Sequence, residues 1–160
     1  MTPQRAMRLG IEMADLIASG YLGDLSDADM LHRPCEGANH IKWQLGHLIV
    51  SEHKMIEGVS PGSMPPLPEG FAERYTKETS TIDDPAAFDS KETLLATAAE
   101  QRAATLAALD KTSADDFDKE TGVDYAPTVG SMYSMQGSHL LMHAGQWAII
   151  RRQLGRPPLF

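Results

Sequence analysis

The chain has 160 residues, of which 42% are hydrophobic and 22% charged, a near-average globular composition that excludes disordered, collagen-like and fibrous classes. That length predicts one domain spanning 1–160, with a core large enough to need no covalent staples. A formal net charge of −8 argues against nucleic acid as a partner, because phosphate-backbone affinity rests on clustered Lys and Arg.

In chain order, the N-terminal "MTPQRAMRLG" lacks the continuous apolar segment of a secretory signal, and no apolar run in the chain reaches the roughly 20 residues that span a bilayer. A membrane partner is therefore not expected. Thr2 followed by Pro3 is a cap with proline at the first helical position. Met7, Ile11, Ala14, Ala18 and Tyr21 then recur at helical spacing, which predicts a first helix ending near Gly20. In "LSDADMLHRPC" (25–35), Ser26 as cap and Asp29 in the first turn predict a brief helical turn that Pro34 stops. Cys35 is the single cysteine and has no intrachain partner, which suits a reducing, cytoplasmic compartment.

A second long helix is predicted from about Asn39 to Gly58, capped by Asn39 or His40. "VSPGSMPPLPEG" (59–70) cannot continue it. Residues 59–89 form a connection of unusual length, with one short helix near Phe71–Tyr75; such segments are usually lids or crossovers. Ser90 caps a third long helix, "KETLLATAAEQRAATLAALD", in which Leu95, Ala99, Leu106 and Leu109 make one stripe. "DKTSADDFDKE" (110–120) reads as a solvated loop, since its carboxylate spacing and missing glycine do not fit a calcium loop. The fourth long helix starts after Pro127-Thr128 and ends at Gly155, before Pro157-Pro158. The basic cluster "RRQLGR" (151–156) closes it, where cations complement the helix dipole.

No segment alternates with period two for long enough to be a strand. The expected fold is all-α: a four-helix bundle with a long crossover between helices 2 and 3, which lets those two helices run parallel.

"GSHLLMHAGQW" (137–147) places His139 and His143 four positions apart, on one face of the fourth helix. Such pairs also occur as pocket-lining or surface residues, so a third ligand matters. "NHIKWQLGHLIVSEH" (39–53) supplies His47, a polar ring in an apolar run that needs a partner. At 100° per residue, Trp43, His47, Val50 and Lys54 share one side of helix 2. Met132, Met135, His139, His143 and Ile150 share one side of the last helix. If those faces meet, three neutral imidazoles suit zinc or nickel and leave coordination positions free. His53 lies about 240° around from His47 and points elsewhere. His40, roughly 10 Å along the axis, is too far to share the ion; it lines the pocket mouth or caps the helix.

Further candidate pocket-lining residues each carry a plainer structural reading. Arg102 interrupts the third helix's stripe and either faces an anionic ligand or snorkels at the stripe's edge. Lys54 and Gln136, on the two histidine-bearing faces, admit the same two readings. Trp43 and Trp147 either wall the site or fill the core.

"WQLGHL" (43–48) followed by "HLLMHAGQW" (139–147) resembles the DinB/YfiT-like superfamily of metal-binding four-helix bundles. There, one histidine of helix 2 joins an H-x-x-x-H pair on the last helix, so the resemblance carries the ligand role to His47, His139 and His143. It implies a divalent metal, an often homodimeric assembly, and in some members a low-molecular-weight thiol as co-substrate of a transferase or isomerase. The expected function is thiol transfer to a small electrophile. A metal-dependent hydrolase and a non-enzymatic metal- or ligand-binding bundle are the alternatives.

Overall fold

Four long helices begin where a polar side chain accepts the hydrogen bond of an otherwise unpaired backbone N–H. The computed structural model describes residues 1–159. Helix α1 (Pro3–Gly23) is capped by Thr2, whose side chain accepts from the Arg5 N–H. Helix α2 (Ile41–Val59) is capped by His40, a one-turn helix α3 follows at Phe71–Arg74, and α4 (Lys91–Lys111) is capped by Ser90. Helix α5 (Val129–Gln153) opens with a reciprocal box between Thr128 and Ser131. Each such cap is worth about 1 kcal/mol. The brief turn expected after α1 is a 3-10 turn, Asp29–Leu31, with Ser26 and Asp29 bonded to each other's backbone N–H. No ladder of strands occurs among the described residues, only one isolated bridge between Glu120 and Thr128.

Side-chain contacts fix how the helices lie. Helices α1 and α5 run in the same sense and closely, since a Cβ on Gly137 would stand 3.1 Å from the Gly10 carbonyl oxygen. Arg151, near the end of α5, donates to the Tyr21 carbonyl and pairs with Asp24 at the end of α1. Helix α4 opposes α1: Arg8 pairs with Asp110, and the Lys91 ammonium donates to the carbonyls of Leu22 and Leu25. Helix α2 opposes α5, with Gln44 on Gln146 at one end and Met55 on Gln136 at the other.

Three details refine or correct the sequence reading. Helix α1 continues past Gly20 to Gly23 because Leu22 is buried. Burying a leucine gains about 1.5–3 kcal/mol, more than the roughly 1 kcal/mol a helical glycine costs. Helix α2 begins at Ile41, so of the two caps the sequence offers, His40 is the one used.

The third difference concerns α4, whose buried stripe is Leu94, Thr97, Gln101, Thr105, Ala108 and Leu109, while Leu95 is exposed and Ala99 lies on the surface. The polar members are inside because each finds a partner. Thr105 donates to Glu52 at 2.6 Å, Gln101 donates to the Pro65 carbonyl at 3.0 Å and meets His53 Nδ1 at 3.0 Å, and Thr97 bonds the Thr93 carbonyl. Buried polar groups so satisfied cost little.

The 60–90 segment is anchored on α2. Tyr75 is buried against Gly46, where a Cβ would stand 2.2 Å from its ring, and its hydroxyl donates to Asp89 at 2.9 Å while accepting from the Asp89 N–H. Arg74 adds an ion pair to the same carboxylate.

Candidate metal centre

Helix α2 brings His47, and α5 brings His139 and His143, to one place. Their ring centroids lie 5.6, 5.9 and 5.1 Å apart, and one ligand nitrogen of each falls within 4.8 Å of the other two. On a single tetrahedral ion with bonds of about 2.0–2.1 Å, such nitrogens would stand about 3–3.5 Å apart, a contraction within reach of side-chain rotation. All three donors are imidazole nitrogens, the set that zinc and nickel accept.

Burial keeps the donors neutral. Desolvation lowers the His143 ring to about 4, with His139 and His47 adding to the shift. Desolvation also lowers His139, assisted by His47, and lowers His47, assisted by the Lys54 ammonium. A lowered folded-state pKa means that below the ordinary value of 6.5 the unfolded chain binds protons that the fold does not, so stability falls with pH. For metal-free protein we expect urea midpoints to drop as pH is lowered from about 7 toward 4. His143→Gln should flatten that slope; an unchanged slope would contradict the assignment.

Gln44 orients His143. Its Oε1 accepts from His143 Nδ1 at 3.0 Å and from the Trp147 indole N–H at 2.9 Å, while its amide donates to the Asn39 carbonyl and to Gln146. With Nδ1 carrying the proton, the lone pair of His143 lies on Nε2, the nitrogen left free for an ion. Gln44 was not legible as a site residue, although a glutamine inside "WQLGHL" was a signal of the same kind as His47. Losing such an outer partner costs roughly 10–100-fold in metal affinity. That is the loss expected for Gln44→Leu, measured by competition with a chromogenic chelator.

Trp43 stacks on His47, with centroids 4.9 Å apart and planes 7° from parallel, and its N–H donates to Thr76 and Thr79. Trp147 is wholly buried on Gln44. Gln136 bonds the Met132 carbonyl and Met55 Sδ. The remaining candidates stand off. His40 uses both ring nitrogens, accepting from the Trp43 N–H and contacting the Ile82 carbonyl at 3.1 Å. Arg102 lies against α1 and α2, paired with Asp15 and Glu52. His53 turns to Gln101, as expected, and Cys35 is exposed.

His47 and His139 open into a cleft of about 530 Å³ whose walls include Ser51, Met55, Tyr125 and Met135. A second hollow of about 440 Å³ shares Met55 and Tyr125 with it and contains Lys54 and Lys119.

The fold and site together define an all-helical protein with a three-histidine cluster at an open cleft. Residues 17–147 match the DinB superfamily, and the chain belongs to that family. A crystal structure of a conserved protein from Enterococcus faecalis shares the fold, with a TM-score of 0.70 over 98% of this chain and 99% of that one at 15% identity. No curated protein matches the chain.

Proposed function

We propose that this protein is a divalent-metal enzyme in which His47, His139 and His143 hold zinc or nickel, and that it transfers a low-molecular-weight thiol to a small electrophile. The observation that carries this reading is the convergence of three imidazoles, two of which, His47 and His139, line a cleft open to solvent. A bound cation would supply Lewis acidity, lowering the pKa of a thiol or water held there. The chain's own residues do the rest. Gln44 fixes the His143 tautomer, Trp43 holds the His47 ring flat, and the Met55, Met135 and Tyr125 walls offer apolar contact to the electrophile. Lys54 in the adjoining hollow suits a carboxylate of a thiol co-substrate.

The test is conjugation of monochlorobimane with a panel of biological thiols by metal-loaded and metal-free protein. Metal-dependent turnover with at least one thiol is expected. No rate above the metal-free control with any of them would overturn the transferase reading, and metal-dependent cleavage of an ester or amide panel would then assign a hydrolase.

This reading takes residues 1–160 as one domain, a four-helix bundle of α1, α2, α4 and α5 in which the segment after α2 crosses the bundle so that α2 and α4 run parallel. It places the protein in the cytoplasm, with small molecules as partners; no described helix is long and apolar enough to cross a membrane. It also includes a homodimer. From Val129 to Ile150, α5 carries no Asp, Glu, Lys or Arg, and its exposed Leu141, Met142 and Ile149 join the exposed Leu9, Met13 and Leu16 of the adjacent α1. An apolar face of this kind marks an interaction surface. Sedimentation analysis should give a dimer that Ile149→Glu converts to monomer; a monomeric parent at all concentrations would remove the dimer.

A further inference from the structure

Helices α1 and α4 are tied at their ends, by Arg8 on Asp110 and by Lys91 on the carbonyls of Leu22 and Leu25. Between the ties, Ala98, Ala99 and Ala103 of α4 are too short to fill the space, and a groove of about 390 Å³ remains, with Leu45, Leu48 and Trp147 among its walls. It shares no lining residue with the histidine cleft. Its volume lies within the range of ligand pockets, roughly 300–1,000 Å³.

Three charged side chains also line this groove. Arg102 stands between two carboxylates, with Nε 3.1 Å from Asp15 Oδ1 and Nη1 3.0 Å from Glu52 Oε1. The buried Nη1 lies off the hydrogen-bonding direction, so that contact is by charge alone. Thr105 donates to the same Oε1 of Glu52. Glu52 is 7% exposed. Two carboxylates against one guanidinium leave an excess negative charge beside aliphatic walls, an arrangement that is costly without a further cation. Desolvation accordingly pushes both the Glu52 and Asp15 carboxyls above their ordinary values, offset only in part by Arg102.

We infer that this groove is a second ligand site, one that takes a small organic cation with its ammonium on Glu52 and Asp15 and its apolar body along Leu45, Leu48 and Trp147. A primary amine with an aliphatic or arylalkyl body of about eight carbons matches the volume. The site is independent of the histidine cluster and of whatever chemistry occurs there.

Calorimetric titration at neutral pH with 2-phenylethylamine and octylamine, beside 2-phenylethanol and octanol, tests this. At least one amine should bind at one per chain and at least tenfold tighter than its alcohol. Glu52→Gln should bring amine and alcohol within threefold of each other. Ala99→Leu, a surface change that fills the groove without touching the charges, should weaken amine and alcohol alike. The double variant His47→Ala/His139→Ala should bind the amine as the parent does. Absence of saturable amine binding, equal affinity for amine and alcohol in the parent, or loss of amine binding with the histidines would each overturn the inference.

Discussion

His47→Ala and His143→Ala are each expected to strip the purified protein of stoichiometric divalent metal, with affinity falling by more than the roughly 10–100-fold that loss of an outer partner costs. Each substitution removes one of three donors, and no fourth His, Cys, Asp or Glu among the described residues joins the cluster. His47 is half-buried and stacked on Trp43, so His47→Ala removes a donor with little change to the core. His143 is buried and bonded to Gln44, so His143→Ala also leaves that amide one partner short and should cost about 1–3 kcal/mol of stability besides. Metal content by elemental analysis, read beside the thermal midpoint, separates the two effects. If His47→Ala keeps full metal content, the cluster is not the site. In the parent, metal at a hundredfold excess over Kd should add about 2.7 kcal/mol, raising the thermal midpoint by about 5–10 °C. His47→Ala should lose that increment.

The second large effect is expected at Gly46, one residue before His47. A methyl group there would stand 2.2–2.4 Å from three ring carbons of Tyr75, well inside van der Waals contact. The ring has little room to withdraw, being 2% exposed and held by two hydrogen bonds to Asp89. Overpacking of this kind costs about 1–3 kcal/mol and occasionally more, and Gly46→Ala should sit at or above the upper end. In a chain of this size that is a fall of roughly 6–12 °C in thermal midpoint. The same substitution in a Tyr75→Leu background should cost much less, because residues in contact do not contribute additively. Equal cost in both backgrounds would show that Tyr75 is not what excludes a side chain from position 46.

What the sequence disclosed and what it withheld divide along a physical line. Thr2 and Ser90 were legible as caps because a cap bonds to its own helix, three residues on. The three histidines were legible because helical spacing fixes which residues share a face, and two faces each carrying imidazole have good reason to meet. The stripe on α4 was not legible: Gln101 and Thr105 are buried only because Glu52, His53 and the Pro65 carbonyl arrive from elsewhere in the chain, while Thr97 turns its hydroxyl onto the Thr93 carbonyl of its own helix. Hydrophobicity alone therefore favoured Leu95 and Ala99, which the fold leaves on the surface. Arg102 was singled out as a cation in an apolar stripe, but its partners, Asp15 and Glu52, lie on two other helices. Gln44 stands in the same apolar run as His47, but the partners that define its role, His143 and Trp147, lie on another helix.

X-ray absorption spectroscopy of the protein loaded with one equivalent of zinc tests the central claim most directly. Three imidazole nitrogens at about 2.0–2.1 Å, completed by one or more exchangeable oxygens, are expected, with the count falling to two in His139→Ala. A shell of oxygens without imidazole, or three-imidazole scattering that persists unchanged in that variant, would contradict it.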